Sequence, residues 1–150
     1  MSPEWKKILE VHKPWISLRL EIAKVGEDLY LMLYVDDFDE WKEFSIYKVG
    51  KKVKEIEEIV EKIEEAEDIS EIAEVISEVI GDFIIGEVAE VLGMCAGDDY
   101  IVYPDEDEQL NWPLCFIRDN PSAWIHLCRL YQHNLLPDEW VPYVKKLLYC

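Results

Sequence analysis

Carboxylates are the residues with which this chain could do most of its chemistry. Between Glu55 and Glu90, 36 residues carry 14 acidic side chains against the single Lys62. A second group, Asp98, Asp99, Asp105, Glu106, Asp107 and Glu108, crowds two segments that bracket a short apolar stretch. Acids at helical spacing make a rigid anionic surface, which attracts basic partners and repels DNA, RNA and anionic membranes. Acids gathered on loops supply the oxygen ligands that Mg²⁺ or Ca²⁺ prefers. The first arrangement implies a protein contact through Glu57, Glu58, Glu61, Glu64 and Glu65, with mimicry of a nucleic-acid backbone as one form of it. The second implies a divalent metal at Asp98, Asp99, Asp105 and Asp107 and, as an alternative function, a phosphodiesterase or nuclease. The loops do not follow the Asp-x-Asp-x-Asp-Gly pattern of an EF-hand.

Cys115, His126, Cys128 and His133 are zinc-ligand types. On a helix, however, His126 and Cys128 point about 200° apart and cannot share a metal. Cys128 falls on the face of Trp124, so the preferred reading for Cys115 and Cys128 is reduced core packing, with two disulfides among Cys95, Cys115, Cys128 and Cys150 as the alternative in a hyperthermophilic archaeon. Aromatic side chains are concentrated towards the C-terminus, and Trp112, between Asn111 and Pro113, is the expected exposed anchor for a partner. No nucleophile–base pair or glycine-rich phosphate loop is visible.

The elements that must position these groups follow from periodicity. Ser2, Pro3 and Glu4 read as a helix start, with Trp5, Ile8 and Leu9 on one face, which predicts a helix over Pro3 to His12. Alternation from Ile16 to Ile22 predicts a half-buried strand. The nearly continuous apolar run Leu29 to Val35 predicts a central one, and Trp41 to Val49 a third. Asp36 to Glu40 is the turn between the last two. Ile56, Ile59, Ile63 and Ala66 step by three and four, so a narrow-faced helix is expected to end near Glu67. Asp68 with Glu71 forms a capping box that opens a second helix, read through Ile80, Phe83, Ile84 and Val88 to Leu92. Tyr100 to Tyr103 and Leu114 to Arg118 are short strand candidates, and helices are expected from Pro121 and from near Pro137.

The expected fold is therefore a single α+β domain over residues 1–150: an N-terminal helix, a three-stranded antiparallel meander, a long acidic helical hairpin, a short strand pair and two C-terminal helices. The apolar face of Ile69 to Leu92 exceeds what one partner helix covers, which raises a homodimer as a second way to bury it. The order helix, three strands, helix over Pro3 to Glu67, followed by the stretch Gly50-Lys51-Lys52-Val53-Lys54 at the second helix's start, resembles a double-stranded RNA-binding domain. That resemblance implies phosphate contacts by Lys51, Lys52 and Lys54. The Gly-Pro-x-His loop of that family is missing.

Composition bounds the rest. The net charge is −18 and half of the residues are hydrophobic, enough to bury a full core. Two Gln and three Asn are few, and with the Glu, Ile and Val richness they point to a hyperthermophilic archaeon or one of its viruses. No apolar run is long enough to span a bilayer, and the first residues lack a signal-peptide core, so a cytoplasmic protein is expected. The leading expectation is a non-enzymatic interaction module that binds a basic protein.

Overall fold

The computed structural model describes residues 3–39, 41–50, 53–88, 100–103, 114–117 and 121–145. Four strands come first: β1 (Lys6–Lys13), β2 (Ile16–Val25), β3 (Asp28–Asp36) and β4 (Lys42–Val49). Two helices, α1 (Val53–Glu65) and α2 (Ile69–Val79), lead into β5 (Ile80–Val88). They are followed by β6 (Tyr100–Tyr103), β7 (Leu114–Ile117), α3 (Pro121–Gln132) and α4 (Val141–Lys145). The strands form one antiparallel sheet in the order β1-β2-β3-β4-β5-β7-β6.

The sheet is the middle of three layers. Alternate residues of β3 point to opposite faces. Leu31, Leu33 and Val35 join Leu18, Leu20, Tyr47 and the inner faces of α1 and α2, while Tyr30 and Met32 join Ile46, Ile84, Leu127, Leu130 and Trp140. A strand covered on both faces must be apolar at successive positions, which is why Leu29 to Val35 reads as it does.

Two expected elements are corrected. The N-terminal helix is β1, paired along its length with β2. A register shift between Lys7 and Leu9 marks a bulge at Ile8, and the extra residue interrupts the period of two that would have declared a strand. The long helical hairpin is not formed either: α2 ends at Val79, and the predicted continuation is β5. Phe83, Ile84 and Ile85 are all buried, because β5 lies between β4 and β7 and is packed from both sides. With its own register shift opposite Ile46 and Tyr47, the strand places apolar residues at intervals that pass for a helical stripe. Without an N-terminal helix and with four strands ahead of α1, the helix–three strands–helix layout of a double-stranded RNA-binding domain is absent.

Glycine is what allows β5 to enter the sheet. A Cβ on Gly86 would stand 2.3 Å from Ser45 Cβ and 2.6 Å from Ser45 Cα. At Gly81 it would meet the Lys48 carbonyl at 2.8 Å. Both positions require the close backbone approach that only glycine permits. Gly86→Ala therefore lowers stability by about 2–3 kcal/mol, the upper range for overpacking a tight core, or prevents folding; urea denaturation followed by circular dichroism measures it.

Candidate functional site: an acidic helical face

Burial fixes which side of each helix meets solvent. Ile56, Ile59, Ile63 and Ala66 are buried on the sheet, so the intervening Glu57, Glu58, Glu61, Glu64 and Glu65 are all exposed. On α2, Ile72, Ile76 and Val79 are the buried set, leaving Glu71, Glu74 and Glu78 outside. Lys62 pairs with Glu78 at 3.8 Å and bridges the two helices. No other ion pair reaches Glu57, Glu58, Glu61, Glu64 or Glu65 among the described residues.

The turn between the helices is firmly held. The Asp68 carboxylate accepts from the Glu71 N–H at 2.9 Å, and the Glu71 carboxylate accepts from the Glu67 N–H at 2.8 Å, a reciprocal cap. Lys13 Nζ donates to the carbonyls of Ala66 at 2.7 Å and Glu64 at 3.4 Å, placing a cation at the negative end of α1. The backbone that carries the acidic residues is thus held on a buried scaffold. Alongside it, Lys6, Lys7, Ile8 and Ile22 face Ile56, Glu57, Val60 and Glu61 across an open cleft of about 490 Å³.

At the N-terminal end of β4, the β3–β4 turn projects Phe38 into solvent, 61% exposed. Its φ of 63° is left-handed, which costs a non-glycine residue about 1–2 kcal/mol. Four hydrogen bonds hold the turn in that shape. The Phe38 N–H donates to Asp36 Oδ1 at 2.9 Å, the N–H groups of Asp39 and Trp41 donate to Asp37 Oδ1 at 3.0 and 2.8 Å, and the Asp37 N–H donates to the Trp41 carbonyl at 2.9 Å. Trp41 and Asp37 are themselves buried, so the tip is tied to the core.

Two polar clusters escaped the sequence reading. Glu43 is 2% exposed and accepts from the Tyr47 hydroxyl and from Trp41 Nε1. Burial raises its carboxyl above the ordinary value, and the hydrogen bonds, led by Tyr47, only partly offset this. On the other face, Tyr30 OH and His126 Nδ1 lie 2.6 Å apart, Arg129 donates to Asp28 and, at 3.3 Å, to Tyr30 OH, and Lys48 stands 3.8 Å from Asp28. Burial lowers the His126 pKa, with Asp28 opposing and Lys48 and Arg129 reinforcing the shift. Burial raises that of Tyr30. At Asp28, burial acts to raise the carboxyl, but Arg129 outweighs it and the net shift is downward. This cluster ties α3 to the β2–β3 hairpin. Its signal in sequence was only a lone His126 on a helical face, whose partners lie about a hundred residues away.

Of the other expected positions, Asp98, Asp99, Asp105, Asp107, Trp112, Lys51 and Lys52 lie outside the described residues, and Lys54 falls in α1 with its side chain outside them. Among the described residues, no group of three or more His, Cys, Asp or Glu is placed to hold a metal ion. Cys128 is disulfide-bonded, not the reduced core thiol expected. Also among the described residues, no helix is long and apolar enough to cross a membrane. Comparison of the chain with family models, curated proteins and solved structures finds no match.

The buried carboxyl gives a signed pH test. A carboxyl whose folded pKa lies above its unfolded one stabilises the fold only while protonated, so its contribution is lost as pH rises from the ordinary value of 4.5 through the folded value. Glu43→Gln keeps an acceptor for Tyr47 and removes the titration. Relative to the native chain, the variant gains stability as pH is raised from 4 to 7, read from denaturation midpoints across that range; a constant difference would remove the assignment.

Proposed function

We propose that this protein is a non-enzymatic interaction module that docks the outer face of α1 and α2 on a basic protein. The observation that carries the reading is the line of exposed carboxylates at Glu57, Glu58, Glu61, Glu64 and Glu65, with Lys62 beside them already engaged with Glu78. A surface of this kind gains little from internal ion pairs and leaves its potential directed outward, which speeds encounter with a cationic surface and fixes orientation more than it adds raw affinity. The packed mounting supports the same reading, since the helix backbone needs no further ordering on docking and only the side chains lose freedom.

The proposed setting is the cytoplasm of a hyperthermophilic archaeon, or of such a cell infected by a virus that encodes the chain. The amide-poor composition supports it, and so does a disulfide at Cys128, because hyperthermophile interiors are an exception to the rarity of intracellular disulfides.

The test is binding to a panel of purified basic nucleic-acid-binding proteins in 50 mM and 500 mM salt, with the triple variant Glu57→Lys, Glu61→Lys, Glu64→Lys as control. The expected result is a complex that weakens by about tenfold or more in the high salt or in the variant and that persists in chelator. Binding indifferent to both salt and charge reversal would reject the proposal.

A further inference from the structure

We infer that Phe38 is the apolar anchor of the protein contact, and that the partner surface it fits is an apolar pocket rimmed by lysine or arginine. The inference rests on the acidic docking reading above and adds a second, chemically distinct element to it. Phe38 and Ile125 are the large hydrophobic side chains left exposed among the described residues. Ile125 sits in ordinary helical backbone on α3, where a single exposed apolar residue needs no explanation. Phe38 is different in two respects.

The first is its backbone. A bulky aromatic at the tip of a turn that demands a left-handed conformation is the wrong local choice, since Gly, Asn or Asp fills such a position without the penalty. The hydrogen bonds accepted by the Asp36 and Asp37 carboxylates fix the turn regardless of which side chain stands at 38, so the fold does not require the ring. An outlier that the surrounding structure over-determines, with its side chain in water, points towards use outside the chain.

The second is its surroundings. The local sequence is Asp36-Asp37-Phe38-Asp39-Glu40, and the α1–α2 turn lies at the same end of the sheet, because Lys13, at the β1–β2 turn, donates to the carbonyls of Glu64 and Ala66. Phe38 therefore projects from the end that also bears Glu65, Glu67 and Asp68. A ring held rigidly amid carboxylates complements an apolar cavity with a cationic edge: the cavity removes the ring from water and the edge meets the acids. A second copy of this chain presents the same acidic charge and is disfavoured by repulsion.

The experiment uses a probe with that chemistry. β-Cyclodextrin in which every primary hydroxyl is replaced by an amine is an apolar cavity of phenyl size ringed by ammonium groups, and unmodified β-cyclodextrin is the same cavity without charge. Titration calorimetry and the aromatic NMR signals of the full chain report binding of each to the native protein, to Phe38→Asn and to the Glu57, Glu61, Glu64 charge-reversal variant. Expected are tighter binding of the amine form than of the neutral form, movement of the Phe38 ring signals, and a loss of about tenfold or more in Phe38→Asn, whose melting temperature equals or exceeds that of the native chain. Equal binding by Phe38→Asn overturns the anchor; if the charge-reversal variant is nevertheless weakened, the acidic docking reading stands without it, and if it too is unchanged, both fall. Equal affinity for the two cyclodextrins overturns the cationic rim. A marked drop in the melting temperature of Phe38→Asn makes the ring a structural residue and overturns the inference, as does a dimer in sedimentation that needs Phe38.

Discussion

The structure depends on burying the middle of one sheet from both sides. β3, β4 and the Phe83–Ile85 part of β5 are packed on both faces, with helices on either side, and the hydrophobic effect that drives this is worth roughly 25 cal/mol for every Å² withdrawn from water. The constraint explains the order of the elements. After β4 the chain must cover one face with α1 and α2 before β5 can be laid down, and after β7 it must cover the other with α3 and α4. It also explains the composition of α1 and α2. Their inner positions are committed to Ile56, Ile59, Ile63, Ile72 and Ile76, and only the outer positions are free to carry charge.

That division of labour decided what could be read from the sequence. Where an element meets a single environment per face, its period was legible: the inner stripe of α1, the cap at Asp68, the alternation of β2 and the continuous run of β3 all follow from residue spacing. The N-terminal strand and β5 were not, for two related reasons. At β1 a bulge at Ile8 breaks the alternation, and proline and acid at the start resemble a helix cap. At β5 burial on both faces erases alternation, and a short apolar run cannot be told from a buried helix by period alone. Gly81 and Gly86 held the discriminating information, since two glycines in a buried apolar stretch fit a strand closely approached by another backbone better than they fit a helix.

The candidate site divides in the same way. The acidic residues of α1 were legible because a helix with a buried stripe must expose everything else. Phe38 was not, because its significance lies in a dihedral angle and in hydrogen bonds to the Asp36 and Asp37 carboxylates that a turn assignment does not specify. Glu43, Tyr30 and His126 were hidden for a third reason: each is a polar residue whose partner is supplied by the tertiary fold, and the polar groups that matter in a core are those whose partners are far apart in sequence.

Among the described residues no strand pairs with the outer edge of β1, which has a consequence for how the chain behaves in company. An antiparallel sheet that ends in an unpaired strand offers its outer row of N–H and C=O groups to any other strand, the geometry from which fibrils grow. Here the edge is interrupted by the bulge at Ile8 and carries Lys6, Lys7 and Lys13, so an incoming copy finds a broken ladder lined with cations. The overall charge of −18 adds a repulsion that acts before contact. Pairing of a second copy along β1 is therefore opposed both by the interrupted ladder and by charge.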